Sequence, residues 1–240
     1  MNEQINFNQV WIYLQSEPLS WLTLTIGSYI IGDYVYKKTG LFPLLNPVAI
    51  TIVIISSILI FFDVPYKKFF AGAQFIHFLL GPVTVSLAIP IYKKRNLIKS
   101  YLIPIIFALL IGCSFAILST YFLANILISD SQLLLSLLPR NVTAPIAMGI
   151  SEIIGGIPSI TAIITIITGI VGASFGSFIL DMLRIKNMQA RGFGIGLASH
   201  GIGTARAMSK DNNAGVFAAL AMSLSGITTS LLVPIFVKLL

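Results

Sequence analysis

The chain reads as an all-α polytopic membrane protein, and three observations carry that reading. Of its 240 residues 56% are hydrophobic and only 10% are charged, with a mean hydropathy of +0.94. Soluble domains carry about 25% charged residues. The apolar residues fall in long runs separated by short polar connections. The basic residues gather in those connections, as orientation-setting loop charges do: Lys37-Lys38, Lys67-Lys68, Lys93-Lys94-Arg95 with Lys99, and Arg184, Lys186 and Arg191. That clustering argues against nucleic acid as the reason for a net charge of +7. The single cysteine, Cys113, excludes an internal disulfide framework.

Seven to eight apolar segments follow in order, forming one membrane domain over residues 1–240. Residues 1–18 are a polar N-terminal segment without the basic-then-apolar pattern of a cleavable leader. The segments are 19–36, 43–62, 69–92, 101–128, 133–154, 157–183, 192–208 and 214–239. The fourth is long enough to span with tilt. The third is flanked by basic residues on both sides and carries Gly81-Pro82 at its centre, with Thr84 close by. It is either a re-entrant hairpin with its tip at Gly81-Pro82 or a full span kinked at the proline.

The fifth segment is the most informative. Residues 138–156 read LPRNVTAPIAMGISEIIGG. Pro139 and Pro145 each remove a backbone donor and clash with the preceding turn, so a continuous helix breaks here. Interrupted helices are tolerated at membrane depth only where they are buried in protein or line a wet cavity, and transporters bind solutes at them. Arg140 and Glu152 flank the break, and intramembrane charges are costly enough to signal a cavity or a partner. A guanidinium suits a carboxylate. A helix starting near Thr143 would turn its free amides, and the side chains of Asn141 and Thr143, toward an anion. Val83–Ile89 and Val142–Met148 are weakly similar, as two halves of an inverted-repeat transporter core would be.

The seventh segment, GFGIGLASHGIGTARAMS, has Gly192 and Gly196 at close-packing spacing and a titratable Ser199-His200-Gly201 within apolar sequence. Small residues also align on Gly169, Ala173 and Ser177 and on Gly215, Ala219 and Ser223, faces suited to close contact with helices or a second subunit. His77, Asp33 and Asp181 read as structural or interfacial. No nucleophile–base pair or metal-ligand spacing occurs, so neither an enzyme nor a metal or other cofactor is expected.

The run Leu138–Ser151 with Gly155–Thr161, and the run Gly194–Ala207, resemble the two signature blocks of the LrgB/CidB family, and the likeness covers about residues 10 to 238. Arg140 stands where many members have lysine, and Ala144 where many have threonine. The signature core spans 139–210. The resemblance implies a multi-pass bacterial plasma-membrane protein. Members are described as holin- or antiholin-like, tied to murein hydrolase export, autolysis and programmed cell death, and act with a small LrgA/CidA-type partner. Others are linked to pyruvate uptake, and a plastid relative exchanges glycolate and glycerate. The family is also distantly similar to cation/proton antiporters and bile-acid symporters.

Two functions are therefore expected. One is a carrier of small monocarboxylates coupled to protons or sodium. Its anion would be held by Arg140, Asn141, Thr143, Ala144, Glu152, Ser199, His200, Gly201 and Thr204, with Gly81, Pro82 and Thr84 forming a second interrupted segment. The other is a holin/antiholin-like regulator of lysis. A homodimer or larger assembly in the lipid bilayer is expected in either case.

Overall fold

The computed structural model describes residues 13–40, 42 and 45–239, with every side chain there except those of Leu80 and Thr84. Of the polar N-terminal segment, residues 1–12 therefore lie outside the described residues. The described residues are helical and contain no strand. Among the described residues, four helical stretches are long and apolar enough to cross a membrane: Tyr66–Lys93, Leu102–Leu127, Pro158–Met182 and Asn212–Leu239. The chain forms two compact units, divided after Ser86.

The first unit holds α1 (Pro18–Lys38), α2 (Pro47–Phe61) and α3 (Tyr66–Ser86). Prolines open α1 and α2, where their missing donor costs nothing. Asn46 caps α2 by accepting a hydrogen bond from the Val48 amide at 2.9 Å. Trp21 is buried and its indole donates to the Gln15 carbonyl. Asp63, at φ 49°, turns the chain between α2 and α3.

Gly81-Pro82 is not the tip of a hairpin. Both residues lie inside α3, which runs on to Ser86. A proline within a helix costs one backbone bond and a local clash, and helical spans tolerate it. Gly81 and Pro82 are exposed, and the Thr84 side chain lies outside the described residues.

The second unit begins with two short helices, α4 (Ala88–Lys93) and α5 (Arg95–Ser100). The long α6 (Leu102–Leu127) follows, then α7 (Ser131–Leu137), α8 (Ala144–Ile154), α9 (Pro158–Met182), α10 (Met188–Lys210) and α11 (Asn212–Leu239). Its two larger apolar clusters join most of these helices. Ile117, Leu134, Leu138, Val142, Ile150 and Val233 tie α6, α7, α8 and α11 around the fifth-segment break. Ile105, Cys113, Phe193, Val216 and Phe217 tie α6 and α11 to the start of α10.

The seventh segment holds a reversal that its sequence did not announce. His200 has φ 39° and ψ −129°, so α10 is two helical arms joined at one non-helical residue. A Cβ placed on Gly203 would lie 2.9 Å from the Ile195 carbonyl oxygen. An unbroken helix holds residues eight apart about 12 Å from one another. Ile195 and Ala207 share one buried cluster, and Arg191 and Lys210 line one cavity. The arms 188–199 and 201–210 therefore run antiparallel, each ~15–18 Å long by helix rise.

Candidate functional site

The fifth-segment break is a second fold-back. Asp130 caps α7 through the Gln132 and Leu133 amides at 2.8 and 3.1 Å. The helix stops at Leu137, and α8 starts at Ala144 with Pro145 in its first turn. A three-way polar latch closes α8 back against α7. Ser136 Oγ accepts from the Ile157 amide at 2.7 Å, and Thr161 Oγ1 lies 2.8 Å from the Ser136 carbonyl and 2.7 Å from Ser151 Oγ. All three side chains of the latch are fully buried.

The tip, residues 138–143, presents its polar groups inward. Arg140 is half-buried and its Nε donates to Thr120 Oγ1 on α6 at 3.0 Å, while that hydroxyl donates to the Ala116 carbonyl. Asn141 is 3% exposed. Its Nδ2 donates to Thr229 Oγ1 on α11 at 3.3 Å, and its Oδ1 has no partner among the described residues. Thr143 is the N-cap of α8 in extended conformation, and no side chain caps the first-turn amides. The positive end of α8 thus opens at the tip.

At the other tip, His200 is buried and its Nε2 lies 2.9 Å from the Thr165 carbonyl oxygen on α9. A carbonyl only accepts, so Nε2 carries the hydrogen and Nδ1 is the nitrogen left to gain a proton. Ser199 Oγ and Thr165 Oγ1 are buried without partners among the described residues. Thr204 Oγ1 reaches only the Met222 sulfur, at 3.9 Å. Gly169 and Gly172 on α9 make room for this tip, since a Cβ on either would strike His200 or Ser199.

Two helices run along both hairpins, and α11 reaches both tips. On α9, Thr161 closes the latch of the first hairpin, and Thr165, one turn later, meets His200. On α11, Met222 faces Gly201 and Thr204, Gly226 faces Ile146, and Thr229 meets Asn141. Residues 222 and 229 are ~10 Å apart along the axis. The tips therefore lie within two helical turns of one another. Between them are three buried polar atoms without partners: Asn141 Oδ1, Thr165 Oγ1 and Ser199 Oγ. Each such atom costs about 1–3 kcal/mol if left unmet, so these groups would gain from a polar partner.

The structure thus brings Arg140, Asn141, Thr143, Ala144, Ser199, His200, Gly201 and Thr204 to the two tips. It leaves out Glu152, which is exposed on the last turn of α8, ~12 Å of helix from Ala144. No ion pair joins Glu152 to Arg140 among the described residues. Sequence reasoning missed Thr120, Thr161, Thr165 and Thr229. The signal available was a buried hydroxyl on an otherwise apolar helix, with Thr161 and Thr165 spaced i, i+4. Among the described residues no group of His, Cys, Asp and Glu is arranged to hold a metal.

These features define a multi-pass helical membrane protein whose polar core is built from two helical hairpins. The family model of the LrgB-like family matches residues 25–239, and the chain belongs to that family. It is 33% identical over 227 residues to the Holin-like protein CidB of Staphylococcus epidermidis, covering 95% of this chain and 98% of that one. It is 30% identical over 223 residues to the Antiholin-like protein LrgB of Bacillus subtilis, covering 93% and 96%. It is 34% identical over 218 residues to YxaC of the same organism, covering 91% and 94%. No solved structure matches.

Proposed function

We propose that the protein is a membrane carrier of small monocarboxylates such as pyruvate or glycolate, which bind between the two hairpin tips. The observation that carries this reading is the set of buried, unpartnered polar atoms on Asn141, Thr165 and Ser199, with Arg140 and the uncapped start of α8 at the same tip as Asn141. Arg140 attracts the carboxylate. The amides of α8 and the second arm of α10, both of which start at a tip, supply positive dipole ends. His200 Nδ1 is the coupling proton's acceptor, and sodium bound at the tip carbonyls is the alternative coupling ion.

In this reading seven to eight segments cross or enter the bilayer, and the core is an inverted repeat. The first hairpin joins the N-terminal end of α9 and the second its C-terminal end. Because α9 spans, the hairpins enter from opposite faces and their tips meet near the middle. Lys93, Lys94, Arg95 and Lys99 precede α6, Arg184 and Lys186 precede α10, and Arg191 and Lys210 lie in its first and last turns, whereas residues 128–131 and 155–158 hold no basic residue. The base of the second hairpin is therefore the cytoplasmic one.

The names of the relatives favour a second reading, a holin- or antiholin-like regulator that works by assembly with copies of itself and a small partner. Flux into liposomes decides between them. A carrier gives saturable uptake of labelled pyruvate or glycolate that unlabelled monocarboxylate competes away, and Thr143→Val abolishes it at unchanged abundance. Release of any trapped solute, regardless of chemistry, would establish the pore-type reading instead.

A further inference from the structure

A cavity of about 200 Å³ lies at the base of the α10 hairpin, away from the tips. Its wall brings together Arg191 from the first arm, Arg206 and Lys210 from the second, Ser177 from α9 and Asp211 from the start of α11. The fold-back at His200 is what unites residues so far apart in sequence. The acidic groups are already engaged. Asp181 pairs with Arg191 at 2.7 Å, and Asp211 Oδ1 accepts from the Ala214 amide at 2.8 Å as the cap of α11. Arg191 also donates to the Ile185 and Ser177 carbonyls, which fixes its guanidinium in the wall. Lys210 Nζ reaches Ser177 Oγ at 3.4 Å.

Three cations thus share a small cavity with one carboxylate, Asp211, while Asp181 pairs with Arg191 without lining it. Partial burial, together with Arg206 and Arg191, holds the Lys210 ammonium below its ordinary range, against an opposing pull from Asp181. An anion in the cavity would relieve this crowding. Basic pockets between membrane helices on the cytoplasmic side suit phosphate head groups.

We propose that this cavity binds a phosphate-bearing anion through Arg206, Lys210 and the inner edge of Arg191. The site stands apart from the tips, so it does not depend on what the protein carries. A bound phosphate group would pin the two arms of the hairpin to each other at their bases and to α9.

The test uses the full chain purified in detergent, with thermal unfolding and native mass spectrometry as readouts. Inorganic phosphate is compared with chloride at equal ionic strength, and phosphatidylglycerol with phosphatidylcholine in mixed micelles. We expect stabilisation by phosphatidylglycerol with one lipid retained per chain, or by inorganic phosphate alone if the source is a soluble ion. Lys210→Gln and Arg206→Gln should each weaken binding roughly fivefold, as loss of one basic contact does. Lys238→Gln, at the far end of α11, should leave it unchanged. Lys210 is exposed at a helix end, so its variant reports even if Arg206→Gln fails to fold. No stabilisation by either ligand, or stabilisation undiminished by Lys210→Gln, would overturn the proposal.

Discussion

Replacing His200 by glycine and by alanine tests the hairpin itself, because the two predicted orders are opposite. His200 sits at φ 39°, ψ −129°, a region costly for any residue with a Cβ. Holding a non-glycine residue there costs about 1–3 kcal/mol. Alanine keeps that strain and also loses the hydrogen bond to the Thr165 carbonyl, a further ~0.5–1.5 kcal/mol. Glycine loses the same hydrogen bond but sheds the strain. His200→Gly should therefore be more stable than His200→Ala by about 1–3 kcal/mol, at ~2–4 °C of unfolding midpoint per kcal/mol for a chain of this size. Were residue 200 inside a continuous helix, alanine would win by ~0.5–1 kcal/mol. Unfolding midpoints of both variants in one detergent decide the matter. Alanine at or above glycine would refute the fold-back. Both variants should lose coupled uptake, since neither keeps a proton acceptor.

The remaining predictions concern the tip and the packing beneath it. Arg140→Ala should lower monocarboxylate uptake at least tenfold with little loss of stability, because Thr120 keeps its bond to the Ala116 carbonyl; Arg140→Lys, which retains the charge, should be intermediate. Uptake and expression measured side by side check this, and equal uptake by all three proteins would remove Arg140 from the site. Gly196→Val should destabilise by about 1–3 kcal/mol or more, as overpacking does, because even a Cβ there strikes the Ala218 carbonyl. A wild-type unfolding midpoint for that variant would show that the first arm of α10 does not lie against α11.

The fifth-segment break was legible because its chemistry is local. Two prolines with arginine and asparagine in an apolar run cannot continue a helix, whatever surrounds them. The close contact at Gly192 and Gly196 was equally legible from spacing, and α11 is their partner, through Ala214 and Ala218. The reversal at His200 was not. No proline marks it, and its glycines fit a tightly packed straight helix as well as a hairpin. Only the α9 surface, with Gly169 and Gly172 cleared of side chains, makes the turn fit. Gly81-Pro82 left a hairpin tip and a kinked span open, since a single proline is a local mark that a helix can absorb, and the helix is what forms. Thr120, Thr165 and Thr229 gave only a weak signal, because a lone threonine on an apolar helix bonds its own backbone as readily as a partner.

The central claim is that two hairpins hang from opposite ends of α9 and enter the membrane from opposite faces. Single cysteines at the hairpin bases, in a Cys113→Ser background, test it most directly with a membrane-impermeant maleimide on intact cells and on inverted vesicles. Gln132→Cys, at the base of the first hairpin, should label only in intact cells, and Ser209→Cys, at the base of the second, only in inverted vesicles. Both cysteines labelling from the same face would contradict the account.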